Sequence, residues 1–316
     1  MTVPSVGSGR AYLMGCGLVV LGGLVLSLGV LCIRGASASD AWQYLFWRAL
    51  GFGLVLAFVA ALRHGTSPLA QIRSLGRFAW VSALAMVASQ VCFVAAMKSG
   101  STAEVFFLMS LAPLIAAVLA RPILGERMGG LGMLAIAVAL CGVALMSGLN
   151  ARPDGLHGAL WEGDWTAPVL ALCTAFTFAL YSLATRGARR EDLDAALVAV
   201  GIVTTAVSAA VMLWLGLPFA ASLGDAALGL LHGGVILAIG LVLLARGSRT
   251  VPGVTLVMLA QAETVAAPIW TYLVFDETTT MSVVAGGALI LLAVIMQASD
   301  GARRDRGRGA AGRSPA

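Results

Sequence analysis

Three residues able to carry charge lie where charge is expensive. Arg48, His232 and Glu263 each fall inside an apolar run of about 20 residues, enough to cross roughly 30 Å of hydrocarbon. An ionisable group at such depth costs at least about 2.5–3.5 kcal/mol on insertion scales, so each is a functional candidate by default. At about 1.5 Å per helical residue, Arg48 lies about 10–11 Å past Ala41 and His232 about 10 Å past Asp225. Glu263 lies about 13–14 Å before Tyr272, so the three are expected in one layer. Glu104 is shallower, about one helical turn from the same surface.

Glu263 is the leading candidate. Pro268, on the same helix, has no N–H to give the carbonyl of Thr264, which frees an acceptor beside the carboxylate. Broken backbone of this kind is tolerated in a membrane where it lines a cavity or is satisfied by neighbours. Gln261 and Trp270 add a hydrogen-bonding amide and an aromatic face. Such a carboxylate suits a group that takes up and releases a proton, or that meets a substrate. A structural alternative stands beside this one: Glu263 and Arg48 form a static bridge holding two parts of the protein together. Arg48 alone could snorkel to the surface, and His232 could be a satisfied core histidine. Trp42, Tyr44, Trp47, Tyr181 and Trp270 serve either as packing and interfacial aromatics or as faces for a ligand.

The elements that must position these residues are ten apolar segments. They are Tyr12–Cys32, Ala41–Leu62, Phe78–Met97, Ser101–Ala120, Met128–Leu149, Thr166–Thr185, Leu193–Leu215, Asp225–Ala245, Val251–Tyr272 and Met281–Ser299. Only Lys98-Ser99-Gly100 separates the third from the fourth, so these two form a tight hairpin. Composition agrees: 59% of residues are hydrophobic and 11% charged, against about 25% charged in a soluble chain. The expected class is an all-α integral membrane protein with the lipid bilayer as its solvent. The first run is too long for a signal-peptide core, so the first helix is expected to be retained.

A net charge of +5 could point to nucleic acid, yet the basic residues gather at helix ends and in the C-terminal tail. That placement sets orientation and excludes a nucleic-acid surface. With the N-terminus inside, sixteen basic residues fall on the cytoplasmic side and three, Arg34, Lys98 and Arg152, outside. Both termini are therefore expected in the cytoplasm. Nineteen of the twenty basic residues are Arg, a bias of GC-rich bacteria, which suggests a bacterial inner membrane. The polar stretch Asn150–Trp165 reads as an external linker between residues 11–149 and 166–299. Residues 300–316, rich in Arg, Gly and Ala, are expected to be a disordered basic tail.

Cys16, Cys32, Cys92, Cys141 and Cys173 show no paired spacing, so neither metal nor disulfide is expected, and no cofactor. No Gly-x-x-x-x-Gly-Lys-Ser/Thr run is present to cradle ATP. With only His64, His157 and His232, and no His-Glu-x-x-His, an intramembrane enzyme lacks its raw material. A non-transporting scaffold would be expected to bear a soluble domain. Close glycine pairs such as Gly22-Gly23 and Gly286-Gly287 suit close helix packing.

An offset of 151 residues aligns KSGSTAEVFFLMSLAPLIAAVLARPILGER, from Lys98, with RTVPGVTLVMLAQAETVAAPIWTYLVFDET, from Arg249. At nearly the same offset IRGASASD, ending at Asp40, aligns with TRGARRED, ending at Asp192. Five crossings per half would turn the second half upside down, giving two inverted five-helix repeats with a site near the midplane. The SLAPLIAAVLARPILGER run, the ETVAAPIWTYLVFDE run ending at Glu277, and the Trp47-Arg48 pair are similar to the EamA-type branch of the drug/metabolite transporter superfamily. Asp276 stands where many members have Gly, and Thr264 where many have Pro. The resemblance covers about residues 11–299. It implies a ten-helix secondary transporter of small metabolites, often amino acids or related compounds and commonly for export; a monomer or homodimer is expected. A proton or ion gradient, or the substrate's own gradient, would drive it.

Overall fold

The computed structural model describes residues 9–64, 72–124, 129–146, 165–189, 192–251 and 253–311, and every regular element among them is a helix. In lipid each backbone N–H and C=O must find its partner within the protein, which a helix accomplishes along its own length. Nine of the described helices are long and apolar enough to span a membrane. They are α1 (Ala11–Gly35), α2 (Ala41–Leu62), α3 (Arg77–Ser99), α4 (Thr102–Pro122), α6 (Thr166–Gly187), α7 (Asp192–Leu215), α8 (Leu223–Gly247), α9 (Thr255–Phe275) and α10 (Met281–Asp300). A shorter apolar helix, α5 (Gly130–Met146), stands where Met128–Leu149 was expected, and that segment's ends fall outside the described residues. So do Glu126 and nearly all of the expected linker, of which only Trp165 is described.

Helix ends follow local chemistry. Ser101 and Ser222 cap α4 and α8, their hydroxyls accepting from the Glu104 and Asp225 amides at 3.3 and 3.0 Å. The α9 helix ends at Asp276, in the left-handed region at φ 52°. Where disorder was expected from residue 300, the last helix instead runs Met281–Ala311. Arg and Ala are among the best helix formers, and no proline intervenes before Pro315.

Four of the described helices are interrupted. The first breaks at Leu28, between Gly9–Ser27 and Gly29–Gly35. In α4 the break falls between Thr102–Met109 and Ala112–Leu124, where Pro113 cannot donate to the Met109 carbonyl. The α8 helix winds through a π-helical turn at His232–Ile236, and α9 breaks at Gln261. Breaks and π turns of this kind cluster at functional sites. The expected disruption at Pro268 is not what interrupts α9: Ala262–Phe275 is continuous through that proline.

The principal packing pairs are α3 with α6, α5 with α10, α2 with α8, α1 with α8, and α2 with α7. Next come α9 with α1, α4 with α6, and α3 with α7. Small residues permit the closest crossings. A β-carbon added to Gly53 would lie 3.3 Å from the Gly201 backbone, and one added to Gly233 would overlap the Arg48 carbonyl oxygen. One end of the bundle gathers Arg34, Lys98, Thr102, Asp225 and Glu277; the other gathers Phe78 beside Gly187 and Asp300 bonded to the Gly129 amide.

Candidate functional site

Arg48 enters the bundle from the second turn of α2 and is 6% exposed. Its guanidinium donates to the Gln90 side-chain oxygen on α3 and, through Nε, to His232 Nε2 on α8 at 3.4 Å. It also lies 5.8 Å from the ring centre of Phe93. His232, 3% exposed, meets the Tyr44 hydroxyl at 2.8 Å through Nδ1. Arginine has donors only, so Nε2 is the acceptor and Nδ1 carries the imidazole hydrogen toward Tyr44. Lys98 lies 5.6 Å from the Tyr44 ring centre. The result is one polar chain from the Lys98 end inward: Lys98, Tyr44, His232, Arg48, Gln90. Gly29, next to the α1 break, faces the imidazole ring, and His232 itself opens the π turn.

Glu263 stands apart from that chain. Its backbone is covered by Gly23 of α1, and its charge and that of Arg48 act on each other. No ion pair within 4.0 Å joins the two. The reason is register. The α9 helix continues to Phe275, three residues past the expected end, which places Glu263 about 18 Å along the helix from that end. Arg48 is about 10 Å along α2, so counted from their helix ends the two are offset by about one and a half turns. Gln261, at the α9 break, accepts from the Thr264 hydroxyl at 3.1 Å. Trp270 donates to the Ser27 hydroxyl at 2.9 Å, beside the α1 break.

The other candidates lie elsewhere. Trp47 faces away from Arg48 and donates to the Phe219 carbonyl at 2.8 Å. Glu104 is half-buried in the first turn of α4. Tyr181 lines a cavity of about 270 Å3 near the opposite end, with Ser82, Thr185, Leu193, Ala196 and Val200. On α7, the face carrying Ala196 and Val200 continues to Thr204 and Ser208, fully buried hydroxyls that meet no partner among the described residues. Sequence reading missed Gln90, although it is the only amide side chain in its apolar run, because its partner is 42 residues away. Among the described residues no group of three or more His, Cys, Asp or Glu could hold a metal ion.

The network predicts which residues are coupled. A double-mutant cycle of Arg48→Met with Gln90→Leu should give an interaction of at least about 1 kcal/mol in thermal unfolding of the purified protein. The cycle of Arg48→Met with Glu263→Gln should give a smaller one. The reverse ranking would mean that Arg48 answers chiefly to the carboxylate.

Residues 13–148 match the model of the EamA-like transporter family, part of the drug/metabolite transporter superfamily. Members of that family are transporters. A comparison with curated protein sequences finds no match. A crystal structure of a protein 16% identical superposes with a TM-score of 0.60 over 92% of this chain and 98% of that one. At that identity the likeness shows the fold alone.

Proposed function

We propose that the chain is a secondary transporter that moves a small metabolite, an amino acid or a related compound, out of a bacterial cell by alternating access. In this reading ten helices form two inverted five-helix repeats, and both termini are cytoplasmic. The Glu277 end is external. One observation carries it. Exchanging α1–α5 with α6–α10 maps the eight largest packing pairs onto one another, though not the smaller α4–α10 and α2–α3 contacts: α3 on α6 becomes α8 on α1, α4 on α6 becomes α9 on α1, and α2 on α8 becomes α7 on α3. The α2–α7 and α5–α10 pairs map onto themselves. Two of the four interruptions agree, since the break at Ser110 lies 151 residues before the one at Gln261, the offset of the aligned sequences, while the α1 break and the α8 π turn have no counterpart in α6 and α3. Discontinuous helices in matched positions of two halves mark the binding site of secondary transporters.

Glu263 is the coupling group in this scheme, carrying a proton in exchange for substrate. Arg48, held by Gln90 and His232, supplies the positive pole of the same central space. Gln261 and Trp270 border it, Tyr181 lies on the cytoplasmic approach, and Glu104 and Trp47 lie on the external one. Purified protein in liposomes tests the proposal with a panel of radiolabelled L-amino acids, in counterflow and under an imposed pH gradient. At least one should accumulate in both assays. Failure of every amino acid would exclude that substrate class, and accumulation without any response to the pH gradient would exclude proton coupling.

A further inference from the structure

The two ends of the bundle differ. The cytoplasmic end holds the cavity beside Tyr181, while the external end is tied shut by side chains. The Glu277 carboxylate, just past α9, uses both oxygens. Oε1 accepts from the Thr102 amide at 2.5 Å and from Arg34 Nη2 at 3.2 Å. Oε2 accepts from the Thr102 hydroxyl at 2.9 Å and lies 3.2 Å from Arg34 Nε. Arg34, at the end of α1, also donates through Nη1 to the Met97 carbonyl at 2.8 Å, through Nη2 to the Gly100 carbonyl at 2.5 Å and through Nε to the Thr102 hydroxyl at 3.2 Å. One guanidinium and one carboxylate thus join the ends of α1, α3, α4 and α9. Lys98 adds bonds to the carbonyls of Ala36 and Ser39, and the Ser39 amide donates to Asp225 at the start of α8 at 2.7 Å.

We infer that Arg34 and Glu277, supported by Thr102 and Lys98, form a latch that closes the external mouth of the transport path and must part for substrate to leave. The inference rests on the transport reading above and names how access to that same site is regulated. Three of the joined ends belong to the first half of the chain and one to the second, and Glu277 is the residue through which the α9 end is held. Tilting α9 outward therefore breaks the cluster at one carboxylate. The pair is suited to repeated parting. Its side chains are 22% and 19% exposed, so water can replace the lost bonds, which a fully buried pair does not allow. The latch also reaches the site. Lys98, bonded to the α1–α2 connection, lies over Tyr44, whose hydroxyl meets His232, while Gln90 on the same helix holds Arg48. The contrasting reading is that Glu277 and Arg34 only cap helix ends, as permanent fixtures.

Cys32, two residues before Arg34 and 4% exposed, is a native reporter that separates these readings. With Cys16, Cys92, Cys141 and Cys173 changed to Ser, a membrane-impermeant cationic thiosulfonate is added to intact cells. Cys32 should react slowly in the parent protein. It should react at least about tenfold faster in Arg34→Gln and in Glu277→Gln, as the population moves toward the open mouth. Arg34→Lys, which keeps the charge, should stay near the parent rate. Unchanged labelling in both neutral variants would overturn the latch and leave only caps. So would an equal rise at Ser82→Cys, a fully buried site near the other end tested without Cys32, because the bundle would then have loosened throughout. Reaction confined to inverted vesicles would overturn the external assignment. Labelling requires no substrate, so a failed amino-acid panel and a failed latch give different results.

Discussion

Glu263→Gln is expected to abolish accumulation of substrate driven by a pH gradient, by at least about tenfold, which corresponds to about 1.4 kcal/mol. The amide keeps the size and hydrogen-bonding capacity of the carboxyl group but cannot take up and release a proton. Folding and substrate binding should survive, because no side-chain hydrogen bond within the described structure depends on this carboxylate. Exchange of substrate for substrate should persist, since exchange need not release the proton. The comparison is made in proteoliposomes, with uptake under an imposed gradient set against counterflow at zero gradient. If the variant still concentrates substrate in response to pH, Glu263 serves packing or long-range balance of the Arg48 charge.

Gly233→Ala should be the most damaging single methyl in the bundle. The added carbon would overlap the Arg48 carbonyl oxygen and lie 2.8 Å from its carbonyl carbon and 3.0 Å from the Phe52 amide. These are backbone atoms of α2, so no side-chain rotation relieves them, and the two helices must separate. Overpacking of this kind costs about 1–3 kcal/mol or more. Separating α2 from α8 also pulls His232 from Arg48 and Tyr44, so transport should fall along with the melting temperature. Gly17→Ala, whose new carbon would meet nothing within 4 Å, is the control and should melt no lower than the parent. Equal melting temperatures for the two variants would contradict the tight crossing.

The two variants show what the sequence discloses and where it falls silent. Apolar runs declare membrane helices without any need of periodicity, and the Lys98-Ser99-Gly100 hairpin follows from arithmetic alone. Arg48, His232 and Glu263 are legible as costly groups for the same reason. Their mutual arrangement was not, because it depends on helix register. Three more residues at the end of α9 add about 4–5 Å between Glu263 and that end, and the partners of Arg48 turned out to be Gln90 and His232. A break at Pro113 in α4 was not anticipated, and Pro268 misled, since α9 breaks at Gln261 instead. A π turn leaves no signature beyond a permissive Gly233-Gly234. The Arg34–Glu277 pair spans 243 residues, and two charges at helix ends on one side of a membrane have many possible partners.

The crossing of Gly53 with Gly201 has a mechanical consequence. Helices usually lock by setting side-chain ridges into grooves, and turning one against the other means lifting those ridges out. Where α2 meets α7 at these glycines, backbone lies on backbone with no side chain between. Such a contact works as a bearing: it resists separation through close packing while offering no teeth against rotation. If the two halves of the chain rock, this is a point about which they can turn at low cost. Bulk at either glycine would then act on the speed of the cycle, jamming the motion while leaving the binding pocket intact.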